Sequence, residues 1–236
     1  PLRRGLPTVH TKFGVNTALL SGDVMLIKAY EYVSRISTKH QSEVLHLFNQ
    51  TAREVCEGQQ LDMDFENRDQ VAIDEYLRMI ELKTSVLLAA SLQLGSMLGG
   101  ATQRNQERLY EFGRKLGLAF QVQDDYLDAF GDPEKFGKQV GGDILANKKT
   151  FLLIHALEVA DPSTKAELMQ LMQENPADKV ARILGVFRKT GVDAWALELK
   201  KRFLNEAMSA LDDIAVLSVR KKPLIDLAHY LIQREH

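Results

Sequence analysis

Three carboxylates stand close together in QVQDDYLDAF, residues 121–130, among apolar neighbours. Asp124 and Asp128 are four residues apart, so on a helix they share one face, and Asp125 lies about 100° to one side. Like charges at this spacing repel and slightly destabilise a helix. Carboxylates near apolar side chains need compensation by cations, and Mg²⁺ suits them because it prefers oxygen ligands. The alternative is a solvated helix end, where acidic residues are common.

The residues that follow favour the metal interpretation. The segment GDPEKFGKQVGGDILANKKT combines glycines, the further aspartate Asp143 and several basic side chains. Glycine lets a backbone approach a ligand closely, and lysine ammonium groups pair with phosphate as point charges. Carboxylates followed by lysines fit a diphosphate bridged by Mg²⁺, although a lysine-rich surface loop would explain this segment taken alone. The charged side chains concerned are Lys135, Lys138, Asp143, Lys148 and Lys149.

Helices must position these side chains, because helical patterns extend almost throughout the chain. Six prolines occur, mostly where helices should begin or end, and neither two-residue alternation nor a hairpin turn predicts a strand. The pattern predicts an all-α fold in a single domain, residues 1–236, without repeats or linkers. The longest irregular stretch is predicted at 130–146. The predicted helices are 17–36, 39–57, 68–98, 104–129, 147–160, 163–174, 178–189, 192–217 and 221–233.

Composition excludes several classes of protein. The chain has 236 residues, 45% of them hydrophobic and 26% charged, which is ordinary for a globular domain with a sizeable core. A formal net charge of −2 gives no electrostatic case for nucleic acid or an anionic membrane surface. The single cysteine, Cys56, excludes an internal disulfide and fits a reducing compartment. Because neither a membrane span nor a signal peptide is visible, we expect a cytoplasmic protein.

Several segments together resemble one known family. The segment FQVQDDYLDAFGDPEKFGKQVGGDILANKKTFLL resembles the second aspartate-rich region of the trans-isoprenyl diphosphate synthases, the polyprenyl synthetase family. PLRRGLPTVHTKFG is similar to the stretch just after that family's first aspartate-rich motif. ALLSGDVML, EGQQLDMDFE and ELKTSVLLAASLQLGSML resemble the intervening helices, in the expected order. The resemblance implies a single-domain helical bundle of the isoprenoid-synthase type around a central cavity.

The resemblance also implies a Mg²⁺-dependent prenyltransferase. In this family an allylic diphosphate ionises, the double bond of isopentenyl diphosphate attacks the carbocation, and proton loss leaves an all-trans chain longer by one isoprene unit. Fixed cations must meet the charge that grows on the departing diphosphate, and an apolar wall must shield the carbocation from water. A short product, farnesyl or geranylgeranyl diphosphate, and a homodimer are expected on the same basis.

The resemblance assigns the carboxylates to metal binding. Asp124, Asp125 and Asp128 would form the second metal-binding motif, with Asp124 the strongest candidate for direct ligation of Mg²⁺. Asp143 would assist through metal-bound water. The polar side chains of Gln59, Gln60 and Asp62 are predicted to lie at a helix end near this site.

The resemblance assigns basic and polar side chains to the substrates. Lys83 stands in the apolar segment ELKTSVLLAASLQLG, where a lysine is costly unless it meets an anion or extends its stem to water. Arg3 would face the allylic diphosphate and Arg4 the isopentenyl diphosphate, since a guanidinium fork suits phosphate oxygens. Substrate binding is predicted for Arg3, Arg4, His10, Lys83, Thr84, Phe120, Gln121, Lys138 and Lys148, with catalytic roles for Lys83, Thr84, Gln121 and Lys138. For His10 a hydrogen bond within its own loop, and for Phe120 ordinary core packing, are the alternatives.

Two other functions remain open on the sequence. A terpene cyclase shares the ionisation step but does not use isopentenyl diphosphate, so the paired Arg3 and Arg4 and the lysines argue against it. A non-catalytic helical subunit of a prenyl synthase should have lost its aspartates, which this chain keeps in its second region.

A second aspartate cluster is expected outside this sequence. One cluster anchors Mg²⁺ on one flank of a diphosphate, whereas the developing charge needs cations on both flanks. Because PLRRGLPTVH resembles the loop directly after the family's first motif, we expect a DDxxD cluster within about ten residues before Pro1 in the parent gene. It would belong to N-terminal helices missing here, and residues 1–236 alone are expected to lack synthase activity.

Overall fold

The computed structural model describes residues 1–3, 5–132 and 140–233. By its contacts the chain divides into two compact units, Pro1–Asn49 and Gln50–His236. The prediction of an all-α fold is confirmed. The prediction of one domain over 1–236 stays a prediction.

The first unit begins with a very short antiparallel pair of strands, β1 (Leu2–Arg3) and β2 (Leu6–Pro7), which the sequence pattern did not predict. Two helices follow, α1 (Val9–Phe13) and α2 (Val15–Val33). They are separated by Gly14, whose φ of 89° lies in the left-handed region that favours glycine. The predicted helix 17–36 therefore corresponds to α2.

The helix α3 (Thr38–Glu66) begins in the first unit and continues into the second. In the first unit the Tyr30 ring lies edge-on to Phe48, with centroids 5.0 Å apart, and the Tyr30 hydroxyl donates to Asn49 Oδ1 at 2.5 Å. The sequence predicted an end at residue 57, just before Gly58, but the helix continues to Glu66. The role of Gly58 is not to end α3. It allows the backbone of Leu82 and Lys83 to pack closely against this helix.

The second unit is built from helices. None of the helices in the described parts of the chain combines the length and apolar character needed to cross a membrane. After α3, these helices are α4 (Ile73–Ile80), a π-helix (Glu81–Ser85), α5 (Val86–Leu98), α6 (Gln103–Phe130), α7 (Gly142–Leu145), α8 (Phe151–Val159), α9 (Pro162–Glu174), α10 (Lys179–Lys189), α11 (Val192–Asp212) and α12 (Ser218–Gln233).

The helix α6 lies at the centre of the second unit and packs against α5, α11 and the π-helix. Thr102 caps its first turn by accepting a hydrogen bond from the Asn105 amide at 3.4 Å. Phe112, Leu116 and Val122 on α6 have no exposed surface. Burial of one such side chain stabilises a fold by about 1.5–3 kcal/mol. The aspartates of α6 therefore stand on the most firmly packed helix of this unit.

Two further differences from the predicted elements concern a helix and an irregular stretch. The predicted helix 68–98 begins later, at Ile73, and contains a π-helical turn over Glu81–Ser85. The predicted irregular stretch 130–146 contains the short helix α7, and its residues 133–139 lie outside the described part of the chain. A single sequence carries no periodic signal for either feature, because a one-turn change in winding is decided by packing.

Candidate active site

The π-helix is the element that places Lys83 and Thr84, and two glycines flank it. A Cβ atom on Gly58 of α3 would lie 2.3 Å from the Lys83 amide nitrogen. A Cβ atom on Gly117 of α6 would lie 2.7 Å from Ser85 Cα. Both approaches are too close for any larger residue. The backbones of α3 and α6 therefore pack directly against the backbone of the π-helix. Single π turns inside helices are frequent at functional sites.

Lys83 meets an anion, which is one of the two outcomes that its apolar surroundings left open. Its Nζ donates to Asp62 Oδ2 at 2.7 Å, and both side chains are largely shielded from solvent. Asp62 lies within α3 and not at a helix end, because α3 extends past it. The pairing holds the ammonium group of Lys83 in place. Its contact with a diphosphate stays a prediction.

Thr84 begins a chain of hydrogen bonds that ends in the core. Its hydroxyl donates to Gln121 Oε1 at 3.3 Å, and Gln121 Nε2 donates to Asp125 Oδ1 at 3.0 Å. The hydroxyl of Tyr76, which is 1% exposed, donates to Asp125 Oδ2. Both oxygens of Asp125 are therefore engaged with protein donors. Sequence reasoning missed Tyr76, because its partner lies 49 positions away and no local pattern joins the two.

Asp125 differs from the other two aspartates of its cluster in burial. It is 3% exposed, whereas Asp124 and Asp128 are partly exposed. Burial raises the pKa of Asp125 to about 6, against the lowering effects of the Lys148 charge and of the Tyr76 and Gln121 hydrogen bonds. Burial also raises the pKa of Tyr76, and the negative charge of Asp125 raises it further. Asp125 therefore anchors the network within the protein.

Asp128 fixes the start of the segment that carries Asp143 and Lys148. Its Oδ2 accepts from the Asp143 amide at 2.9 Å, and its carbonyl oxygen accepts from the Gly141 amide at 2.6 Å. The Lys148 amide donates to the Asp143 carbonyl at 2.9 Å, and Lys148 Nζ lies 3.5 Å from Asp143 Oδ1. These contacts bring Asp128, Asp143 and Lys148 together.

Lys148 stands in a negative environment. Burial lowers its pKa, but the charges of Asp125, Asp143 and Asp62 outweigh that effect and leave the pKa above its ordinary value. A cavity of about 430 Å³ adjoins Lys148 and is also lined by Asp62, Tyr76 and Met79. Lys83 and Lys148, which lie far apart in sequence, therefore share Asp62 as an acidic neighbour in space.

The donor set fits Mg²⁺, although it does not form a closed cage. Within residues 1–3, 5–132 and 140–233, no three acidic, histidine or cysteine side chains converge to hold a metal. Mg²⁺ is usually held by one or two carboxylates, with water and substrate phosphates completing its six oxygens. Asp124 and Asp128, on one face of α6, supply carboxylates of that kind. Their role as ligands stays a prediction, as do those of Asp125 and Asp143.

The remaining predicted residues are not all placed together. Phe120 is partly buried against the hydrophobic core, in agreement with ordinary packing. Arg3 lies exposed in β1, and His10 Nε2 lies 3.4 Å from Thr8 Oγ1 within its own segment of the first unit. Gln59 and Gln60 are exposed on α3. Predicted residues Arg4, Lys135 and Lys138 lie outside the described part of the chain.

The class of the protein follows from its fold and its relatives. A crystal structure of geranylgeranyl pyrophosphate synthetase from Pyrococcus horikoshii Ot3 matches with a TM-score of 0.92 and 36% identity, over 99% of this chain and 72% of that one. The fold is that of the all-α isoprenoid synthases. The family model for Polyprenyl synthetase matches residues 1–187. The chain belongs to the polyprenyl synthetase family.

Two curated relatives extend the comparison. A short chain isoprenyl diphosphate synthase from Methanocaldococcus jannaschii is 45% identical over 171 residues, which are 72% of this chain and 52% of that protein. Another from Methanothermobacter thermautotrophicus is 35% identical over all of this chain and 72% of its own length. The chain thus spans between about half and three quarters of these relatives. The predicted family is confirmed, and with it, at the level of the family, the prediction of a prenyltransferase.

Replacing Asp125 with asparagine should change the pH dependence of stability. Because the pKa of Asp125 is raised, the folded protein binds more protons than the unfolded chain between about pH 4 and pH 6. The free energy of unfolding therefore falls as pH rises through this window, by up to about 3 kcal/mol. Asp125→Asn removes this contribution, so its stability relative to wild type should be higher at pH 7.5 than at pH 4.

Urea unfolding with EDTA present measures the difference. The exposed Asp178→Asn provides the matched control, and its curve should run parallel to that of wild type at both pH values. A constant difference between Asp125→Asn and wild type across the window would show that Asp125 does not titrate there.

Proposed function

We propose that this protein condenses isopentenyl diphosphate with an allylic diphosphate to form a longer all-trans prenyl diphosphate. The observation that carries the proposal is the placement of Lys83 and Lys148. Each ammonium group is held by a carboxylate, Asp62 and Asp143 respectively, and both stand near the buried network of Asp125. Family membership and the names of the relatives support the same reaction.

The chemistry of the site suits departure of a diphosphate. A diphosphate leaves slowly until fixed positive charges meet the negative charge that grows on it. Lys83 and Lys148 would bind its oxygens, and Thr84 and Gln121 would orient it through their shared hydrogen bond. Cations held in place beforehand need no rearrangement when the bond breaks, which is the main source of their catalytic effect.

Mg²⁺ is the proposed cofactor. Asp124 and Asp128 would hold it, with Asp143 assisting through water. When bound, Mg²⁺ neutralises phosphate oxygens and so makes the diphosphate a better leaving group. Asp125 would support these residues from within the protein, since its own oxygens already accept hydrogen bonds from Tyr76 and Gln121.

The finer properties are proposed on the same basis. We propose a short product, of farnesyl or geranylgeranyl length, because the two curated relatives and the Pyrococcus horikoshii structure described above are named as short chain and geranylgeranyl synthases. A homodimer is proposed from the family resemblance. A cytoplasmic location is proposed because a single cysteine fits a reducing compartment. Cross-linking and sedimentation of the full-length gene product would test the dimer.

Product analysis tests the proposal. The full-length gene product is incubated with dimethylallyl and isopentenyl diphosphates and Mg²⁺, and the products are separated by chromatography after removal of the diphosphate. Elongated prenyl alcohols support the proposal. Cyclic products formed without consumption of isopentenyl diphosphate would indicate a terpene cyclase, and the absence of any product would indicate a non-catalytic subunit.

Lys83→Gln should weaken binding of the allylic diphosphate and slow its ionisation, with a smaller effect on isopentenyl diphosphate. Glutamine keeps a hydrogen-bond donor for Asp62 but removes the positive charge, which matters most where the leaving-group charge develops. We expect a loss of about 10²-fold in kcat/KM for the allylic substrate.

Steady-state kinetics with each substrate varied in turn measure the two effects. Lys201→Gln, an exposed lysine on α11, serves as control and should behave as wild type. Equal losses for both substrates would show that Lys83 does not act mainly on the allylic diphosphate.

A further inference from the structure

Lys179, the first residue of α10, is a lysine without exposed surface. Its Nζ donates to Asn147 Oδ1 at 2.6 Å and to Asn175 Oδ1 at 3.1 Å. Within the described part of the chain no carboxylate forms an ion pair with it, and burial lowers its pKa. A buried ammonium group is unfavourable unless its donors are satisfied. Two neutral amide oxygens accept from two of its three N–H donors, so the side chain is committed to the two asparagines.

The two asparagines share an unusual backbone conformation. Asn147 has a φ of 53° and Asn175 a φ of 49°, and they are the two non-glycine residues with positive φ among those that the structure describes. This left-handed conformation is uncommon for residues with a side chain, and asparagine tolerates it better than most because its short polar side chain can hydrogen-bond locally. One ammonium group therefore contacts both residues at which the chain turns in this way. Asn175 ends α9, and Asn147 follows α7.

The turn at Asn147 delivers Lys148 to the site. Val180, the neighbour of Lys179, contacts the other end of the same segment, where a Cβ atom on Gly141 would lie 2.6 Å from Val180 Cγ1. The first two residues of α10 thus contact the two ends of the segment 141–147: Lys179 contacts Asn147, and Val180 contacts Gly141. Asp128 also holds this segment, through the amides of Gly141 and Asp143.

We propose that Lys179 is a positioning residue that sets the Lys148 ammonium group against the diphosphate of the substrate. Lys179 is enclosed, so it acts through Asn147 and the backbone and not by contact with substrate. The inference rests on the proposed function, because it takes Lys148 as a diphosphate ligand. It assigns a role to a lysine outside the aspartate-rich segment and distant from it in sequence.

Binding of inorganic pyrophosphate with Mg²⁺, measured by calorimetry on the full-length gene product, tests the inference. Lys179→Met keeps the length of the side chain and removes its ammonium group. The variant should weaken pyrophosphate binding by about tenfold or more, since small displacements of a positioned charge have effects of this order. Lys201→Met, exposed on α11, is the control and should bind as wild type does.

A double-mutant comparison separates positioning from a general loss of structure. If Lys179 acts through Lys148, then Lys148→Met combined with Lys179→Met should bind no more weakly than Lys148→Met alone. Effects that add would overturn the inference, as would a Kd for Lys179→Met within twofold of wild type.

Two glycine substitutions test the route, and they apply even if Lys179→Met folds poorly. Glycine keeps the left-handed conformation without strain but removes the amide that contacts Lys179. Asn147→Gly should weaken pyrophosphate binding, whereas Asn175→Gly should lower stability alone. Equal Kd values for these two variants would overturn the inference.

The same titrations distinguish this inference from the proposed function. Wild-type protein that binds pyrophosphate but forms no elongated product would contradict the proposed reaction and leave the positioning role supported by the variants. Wild-type protein that binds no pyrophosphate would overturn both.

Discussion

Asp124→Asn in the full-length gene product is expected to lower prenyl transfer at saturating Mg²⁺ by about 10²-fold or more, with little loss of stability. Asparagine has the shape of aspartate but lacks the charge that a Mg²⁺ ligand supplies. Asp124 also lies four residues from Asp128 on α6, so removal of its charge relieves a repulsion within that helix. Activity and stability should therefore move independently.

Turnover as a function of Mg²⁺ concentration and urea unfolding measure the two quantities. Asp178→Asn, an exposed carboxylate next to α10, is the matched control and should retain full turnover. Asp128→Asn should be milder than Asp124→Asn, because an amide oxygen can still accept from the Asp143 amide. Turnover of Asp124→Asn close to wild type at saturating Mg²⁺ would show that Asp124 is not a metal ligand.

Gly58→Ala is expected to destabilise the protein by about 2–3 kcal/mol, although alanine is the better helix former. The new methyl group would lie 2.3 Å from the Lys83 amide nitrogen and 2.8 Å from the Leu82 carbonyl carbon. Both are backbone atoms, so α3 and the π-helix must separate. Because Lys83 and Thr84 belong to that turn, kcat for prenyl transfer should fall as well.

Gly185→Ala provides the opposite case. Gly185 lies inside α10 and a Cβ atom there would meet nothing within 4 Å. Its replacement should stabilise the protein by about 0.5–1 kcal/mol through helix propensity alone. Thermal and urea unfolding of the two variants compare the signs directly. Stabilisation by Gly58→Ala would contradict the close approach of α3 to the π-helix.

Local sequence signals were sufficient for the long, regular elements. The predicted helix 104–129 differs from α6 by only one residue at each end. The agreement is close because the capping residues Thr102 and Gly131 stand directly outside the helix. The helices predicted at 163–174 and 178–189 match α9 and α10 equally closely, and Pro162 and the left-handed Asn175 mark the limits of α9. Caps and turn residues act within a few positions, so a single sequence contains them.

Features that depend on distant contacts were not predicted. Tyr76 reaches Asp125 across 49 positions, and no local pattern indicates that pairing. Gly58 resembled the end of a helix, whereas its lack of a side chain serves the approach of Lys83. Lys179 was not singled out by the sequence, because its two asparagine partners are brought to it by the fold. In each case tertiary packing decides the role of the residue.

The helix α4, the π-helix Glu81–Ser85 and the helix α5 follow one another without a break. The π-helix changes which face of this continuous helix is buried. Before the turn, Tyr76 and Ile80 are buried four residues apart; after it, Ser85 and Ala89 are buried with the same interval, but Ile80 and Ser85 are five apart. An uninterrupted α-helix would have placed Thr84 in the buried row. The single extra residue delays that row by one position and so turns Thr84 towards Gln121 without moving the core of either half. Every buried position along α5 therefore stands one residue later than the spacing of α4 alone would give.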